Sequence, residues 1–407
     1  MKRSAPQSDR AAGMSLRDRP RGLKPAAQNN AAIRRKLLRW YGAHRRDLPW
    51  RRRADDPYAQ WVAEIMLQQT RVETVSKYYE RFLRRFPTIG NLARADHEDV
   101  LKNWEGLGYY RRILHLHRAA RMVCEYGGVI PDNAEALRAL PGVGEYTAAA
   151  IASIAFDRPE AAVDGNVARV LSRLFGVTQD VRSPDGKVRI HDLARSLLSQ
   201  QRPGDFNQAW MDLGSLVCTP NAPRCDACPL RAHCLAAVSG DPEFYPVREA
   251  ARIRKPKAVS LVVVIFVREG KMLVRRREPG GLWSGLWEFP AMELHRGTNR
   301  PVACARGSDG RASSACVIER RSVRLLAAEM GVVISGRPKR VAEVQHQLTH
   351  RSLRFHVYVN RAEPVDGKPL ANTRWVNVRS FQRLAVSTAH RRIFAAAVGR
   401  FTMMAKC

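Results

Sequence analysis

An all-α region followed by an α+β region is the fold this sequence predicts, in a chain of 407 residues that is long enough for two or more cores. From Ile33 to about Ala237, apolar residues recur at spacings of three and four between Gly and Pro breaks, and no alternating strand pattern interrupts them. After a proline- and charge-dotted stretch from Asp241 to Lys257 the pattern changes. Val259 to Val267 is an apolar run rich in β-branched residues, followed by a turn at Glu269-Gly270. Charge sets the partner class: 69 Lys and Arg stand against 38 Asp and Glu, a formal +31, which favours polyanions and makes nucleic acid the expected partner. No apolar run reaches membrane-spanning length and the basic residues are not confined to one amphipathic helix, so no membrane partner is expected.

The elements follow in order. Residues 1–28 are rich in Arg, Ala, Ser, Gly and Pro without apolar periodicity and read as a disordered basic arm, fit either for touching DNA or for organellar targeting. Residues 29–237 form the all-α domain, with helical spacing over Leu37 to Tyr41, Trp61 to Leu67, Val75 to Phe86, Val100 to Trp104 and Ala148 to Phe156. Residues 238–257 are the linker. Residues 258–400 make the mixed domain: a hairpin of Val259 to Val267 with Lys271 to Arg275, a helix from Val323 to Met330 and a strand from Leu353 to Val359. Gly297 to Ser314, rich in Gly, Ser, Ala and Arg, reads as an insertion.

Four patterns bear on chemistry. Cys218, Cys225, Cys228 and Cys234 are spaced C-x6-C-x2-C-x5-C, while Cys124, Cys304, Cys316 and Cys407 are scattered. Four close thiolates suit a metal or cluster site, zinc or iron with sulfide, and the low cysteine density disfavours a disulfide framework. Leu140-Pro141-Gly142-Val143-Gly144 lies between two helix patterns, with Asn133 placed to cap the first, and its glycines let backbone amides approach a phosphate at a helix N-terminus or simply make a tight turn. Glu64 is spaced to lie beside Trp61 and Leu67 at the edge of an apolar helix face, where partial desolvation would raise its pKa and suit it to donate a proton. Asp164, in Val163-Asp164-Gly165-Asn166-Val167, precedes a helix and is an ordinary N-cap, yet a second carboxylate is also what glycosidic cleavage requires.

Taken together, the residues resemble the endonuclease III superfamily of DNA glycosylases, in particular its MutY-type adenine glycosylases. The resemblance is carried by Leu48-Pro49-Trp50-Arg51, Asp56-Pro57-Tyr58, Glu64-Ile65-Met66-Leu67-Gln68-Gln69-Thr70, Gly106-Leu107-Gly108-Tyr109-Tyr110, the Leu140 to Gly144 hairpin, Val163 to Val167, Phe206-Asn207-Gln208 and the four cysteines. It implies a helix-hairpin-helix fold, a 4Fe-4S cluster on Cys218, Cys225, Cys228 and Cys234, and a hairpin that grips DNA. It places Glu64 on the acid that protonates adenine and Asp164 on the carboxylate that stabilises the sugar cation. Tyr146 falls where bifunctional relatives carry a Schiff-base lysine, which implies base removal without strand cleavage. Arg51 and Gln208 fall on adenine-pocket contacts, and Gln69 and Tyr109 on residues that wedge into the base stack when the adenine is extruded.

The C-terminal region resembles the Nudix-like 8-oxoguanine recognition domain of the same family, through Gly281 to Pro290 and His346-Gln347-Leu348-Thr349-His350. Where the family carries Phe-Ser-His, this chain has Leu348, Thr349 and His350, which keeps the hydroxyl and loses the ring. The helix from Val317 to Met330 offers only Glu319 and Glu329, too few for the magnesium-binding helix of a nucleotide hydrolase. The implied activity is excision of adenine opposite 8-oxoguanine or guanine in duplex DNA by a monomer, in bacterial cytoplasm or in a eukaryotic nucleus or mitochondrion. A noncatalytic DNA-binding protein with a structural cluster, or a nucleotide hydrolase joined to a DNA-binding module, are the alternatives.

Overall fold

A computed structural model describes residues 30–247, 256–278, 280–294, 314–365 and 370–405. The expected arm, 1–28, and residues 297–313 of the expected insertion lie outside the described residues; Ser314 opens a helix. Two compact units form, each from two segments: the chain up to Arg46 with Pro159–Glu249, and Asp47–Arg158 with Ala250–Cys407. The helices in chain order are α1 Asn30–His44, α2 Pro57–Leu67, α3 Val72–Arg85, α4 Ile89–Arg94, α5 His97–Asn103, α6 Arg111–Glu125, α7 Ala134–Arg138, α8 Glu145–Phe156, α9 Gly165–Phe175, α10 Pro184–Leu197, α11 Pro203–Leu216, α12 Leu235–Val238, α13 Ser314–Glu329, α14 Val378–Arg383 and α15 Thr388–Ala405.

The first unit packs α1, α9, α10 and α11 around Ile33, Leu37, Leu171, Leu197, Phe206 and Leu213. Its helices start where side chains supply the missing acceptors: Ser183 accepts from the Gly186 amide ahead of Pro184, and Pro203 stands at the first turn of α11. Asp212, fully buried, accepts from Arg46 Nε at 2.8 Å and ties α11 to the end of α1. In the second unit, α2 is capped by Asp56, which accepts from the Ala59 amide at 3.0 Å. The helix is buried from Tyr58 to Met66, and it packs on α8, whose Ala148, Ala149, Ala150 and Ala152 keep the two backbones close.

The remainder of the second unit is a seven-stranded sheet with path β3-β2-β1-β6-β5, in which β4 also pairs with β1 and β7 with β2. The strands are β1 Lys257–Arg268, β2 Lys271–Arg276, β3 Trp287–Glu288, β4 Ala291–Glu293, β5 Val332–Gln347, β6 Arg351–Pro364 and β7 Thr373–Val376. β1 runs parallel to β6 and antiparallel to β2, and the β1–β2 turn has positive φ at Glu269 (44°) and Gly270 (69°). Val263, Ile265 and Val267 face α15 through Ile393 and Ala397, while Val262, Val264 and Phe266 face α13 through Val323 and Leu326. Burial of both faces explains why β1 reads as a continuous apolar run.

The expected order, all-α then α+β, stands. β5 and α15 are not among the elements the sequence predicts. β5 is an edge strand with few buried residues and two register shifts against β6, so it lacks the alternation that betrays a strand. The 281–290 motif makes a loop against α5: a Cβ on Gly285 (φ 76°) would lie 3.2 Å from His97 Nε2, and Trp287 Nε1 donates to Glu98 Oε1 at 2.9 Å. Nearby, Arg391 makes a two-point contact with Glu105, at 2.6 and 3.1 Å.

Candidate active site

Glu64 and Tyr146 meet. The carboxyl comes from α2 and the phenol from the first turn of α8, and Tyr146 Oη donates to Glu64 Oε2 at 2.9 Å. Glu64 is only 4% exposed, deeper than the edge position expected from spacing, because α8 covers the flank that a helical projection leaves open. A second bond between the helices, Gln68 Nε2 to Thr147 Oγ1 at 3.2 Å, fixes their register. Arg51 lies in a 3-10 turn, Pro49–Arg53, whose carbonyls at Trp50 and Arg53 accept from buried Gln60 of α2 at 2.6 and 3.0 Å.

The Leu140 to Gly144 hairpin joins α7 to α8, and Asn133 caps α7 by accepting from the Ala136 amide. α8 begins at Glu145, three residues before the apolar spacing of Ala148 to Phe156 sets in. Gly142 has φ of 80° and a Cβ there would sit 2.6 Å from His115 Cβ, so the turn demands glycine. Gly144 offers no side-chain cap, which leaves the amide end of α8 open to an anion.

Gln69 and Tyr109 both take left-handed backbone, φ 57° and 46°, and Tyr109 is 47% exposed. Such φ values carry strain in a residue with a Cβ. Arg112, which the sequence reading does not single out, holds both segments. Its guanidinium donates to the carbonyls of Ile65, Met66 and Gln68, to Thr70 Oγ1 and to the carbonyls of Leu107 and Gly108, and it lies between the Trp104 and Tyr109 rings. Burial pulls its pKa down to about 10. Its only signal in the sequence is its place two residues after Tyr110, behind Arg111. At the β5–β6 turn, Thr349 Oγ1 shares a hydrogen bond of 2.9 Å with Tyr109 Oη, so two of the expected lesion-contacting residues meet. His350 is exposed and its carbonyl accepts from the Lys257 amide, while Leu348 is partly buried against the sheet core.

In the other unit, Asp164 is the N-cap of α9 as its spacing suggests, Oδ1 accepting from the Val167 amide at 2.7 Å and Oδ2 from Asn166 Nδ2 at 2.9 Å. Asn207 pins the approach to it, donating to the Glu160 carbonyl and accepting from the Ala162 amide. Gln208 follows on α11, 9% exposed, its Nε2 donating to the Gly204 carbonyl at 3.4 Å.

All four clustered cysteines are free thiols and line one cleft with Arg173. Arg173 is buried and donates to Cys218 Sγ at 3.4 Å and to the carbonyls of Thr219, Pro220 and Tyr245. Burial, with the neighbouring Cys218, Cys234 and Cys225, pushes the Cys228 thiol up to about 12. Thiols that oppose one another's ionisation beside a buried guanidinium fit a cationic centre that would relieve them. Among the described residues no three His, Cys, Asp or Glu side chains converge as a single ion requires.

In α13, Glu319 accepts from Tyr358 Oη at 2.5 Å and lies beside Arg340 and His356, and Glu329 pairs with Arg275 at 2.8 Å. Both carboxylates are thus engaged in structure.

The family model for the HhH-GPD superfamily of base excision DNA repair proteins matches residues 62–191, and a Nudix domain model matches residues 261–396. The chain is 36% identical to the adenine DNA glycosylase of Rattus norvegicus over 89% of its length and 77% of the relative's, and 36% identical to that of Homo sapiens over 89% and 73%. This chain belongs to the adenine DNA glycosylase family. It is a base excision repair glycosylase, and so an enzyme. A solved thermostable thymine-DNA glycosylase is 31% identical, covering 52% of this chain and 97% of its own, with a TM-score of 0.48. Membership rules out the noncatalytic alternative.

Proposed function

We propose that this enzyme hydrolyses the N-glycosidic bond of adenine paired with 8-oxoguanine or guanine in duplex DNA, leaving an abasic site in an uncut strand. The observation that carries the reading is the buried hydrogen bond from Tyr146 to Glu64. A carboxyl held this way, with little water around it, is placed to hand its proton to the departing base as the bond to the sugar breaks. Asp164, as a carboxylate, stabilises the positive charge that develops on the sugar until water adds. Tyr146 stands in the lysine position of bifunctional relatives, and a phenol cannot form the imine that leads to strand cleavage.

The names of the relatives support adenine as the base, and the resemblance supports Arg51 and Gln208 as its pocket. Gln69 and Tyr109 enter the stack, Thr349 and His350 approach the 8-oxoguanine, and the Leu140 to Gly144 turn holds phosphate. Cys218, Cys225, Cys228 and Cys234 would bind a 4Fe-4S cluster, which cross-links their loop and takes no part in the hydrolysis.

Single-turnover reactions on duplexes carrying A opposite 8-oxoguanine, G or T test the reading, each split between samples with and without hot alkali. Base release is expected from the first two duplexes, with strand scission only after alkali. Equal release from A opposite T, or scission without alkali, would overturn it.

A further inference from the structure

A concavity of about 750 Å³ opens in the C-terminal part of the second unit. Its walls carry Arg320 of α13, Arg337, Lys339 and Arg340 of β5, Arg361 of β6 and Arg400 of α15; Arg340 pairs with Glu343 and Glu319, and among the described residues no Asp or Glu lines the cavity itself. Arg320, Arg337, Lys339 and Arg400 have no carboxylate partner among the described residues. The cause is local. β5 slips its register against β6 between Ser335 and Lys339 and again between Arg340 and Ala342, so Gly336 (φ 77°), Arg337 and Pro338 bulge from the sheet edge. A bulge, a proline and a lysine also deter edge-to-edge pairing of sheets. That role needs neither a cavity nor arginines brought in from α13 and α15.

The cavity is also lined by Asn360, 3% exposed, whose Oδ1 is buried and has no hydrogen-bond partner among the described residues. Leaving such an acceptor unsatisfied costs about 1–3 kcal/mol, which a ligand donor would recover. The volume falls within the roughly 300–1,000 Å³ of small-molecule sites and exceeds what a lone ion needs. Uncompensated cations in a concavity concentrate anions.

We propose that this cavity binds an oligophosphate-bearing ligand, its phosphates on Arg320, Arg337, Lys339 and Arg400 and a hydroxyl or amine on Asn360. The phosphates come either from a free nucleotide or from a nucleic-acid backbone. A strand rises about 3.3 Å per residue, so the eight residues from Arg340 to Leu348 put the cavity about 25 Å from the β5–β6 turn. It is therefore a site apart from Thr349 and His350.

The test compares the full-length protein with R337A/R400A, both exposed positions, and with R337K/R400K, which keeps the charge. Calorimetric titration with pyrophosphate and with ATP measures the free source. Affinity for an undamaged duplex across a salt series measures the backbone source. At least tenfold weaker pyrophosphate and ATP binding in the alanine variant, largely restored by lysine, assigns the site to a free nucleotide. Unchanged nucleotide binding with a salt slope smaller by about two assigns it to nucleic acid. If the alanine variant matches the wild type in both measurements, the cavity is edge protection only and the proposal fails.

Discussion

Tyr146 does two things at once: it denies the chain an imine-forming amine, and its hydroxyl anchors Glu64. Removing that hydroxyl in Y146F deletes a hydrogen bond to an ionisable partner, worth about 1.5–3 kcal/mol, so single-turnover base release should slow by roughly 10- to 150-fold with duplex affinity unchanged. Equal rates would mean that packing alone orients Glu64. A second residue-scale expectation concerns His117, 2% exposed and near His97. Burial, helped by the Arg121 charge, lowers its pKa to about 4. Unfolded, it would take its proton near pH 6.5, so between those values the unfolded chain binds more protons and stability falls as pH drops. Urea unfolding from pH 7 to 4.5 should show that decline, and a shallower one in H117Q; identical slopes would contradict it. The place of Glu64 on a helix and of Asp164 as an N-cap were legible in the sequence because they follow from local spacing. The depth of Glu64 was not, since it depends on α8, about eighty residues away.

At the scale of elements, Arg112 joins the C-terminal end of α2 to the Gly106–Tyr109 loop, holding Gln69 and Tyr109 in backbone conformations that a free chain avoids. R112A leaves several buried carbonyls unpaired and should cost about 3 kcal/mol or more of stability, seen as a lower Tm. R112K should recover stability in part, but a single ammonium cannot span six acceptors, so its affinity for A opposite 8-oxoguanine should remain reduced. Full recovery of both by lysine would show that charge alone matters. No spacing rule reveals such a clamp, because five of its six acceptors are backbone carbonyls and any sequence supplies those. β5 escaped notice for the opposite reason: as a bulged edge strand it buries too little to leave a pattern.

Across the whole molecule, the helical and mixed regions follow directly from periodicity, while the grouping into compact units does not. α5 carries Glu98 and is followed by Glu105, and these bond Trp287 and Arg391, pairs nearly two hundred residues or more apart. In sequence these are unremarkable charges on a short helix. The Gly281 to Pro290 motif was visible, but its contact with α5 was not. Acid catalysis by Glu64 is the claim on which the functional reading depends, and substituting Glu64→Gln keeps the size and the acceptor for Tyr146 while removing the proton. Single-turnover release of adenine from a duplex with A opposite 8-oxoguanine, measured beside duplex affinity, is the direct test. Release should fall at least a hundredfold with affinity retained, whereas release at the wild-type rate would contradict Glu64 as the acid.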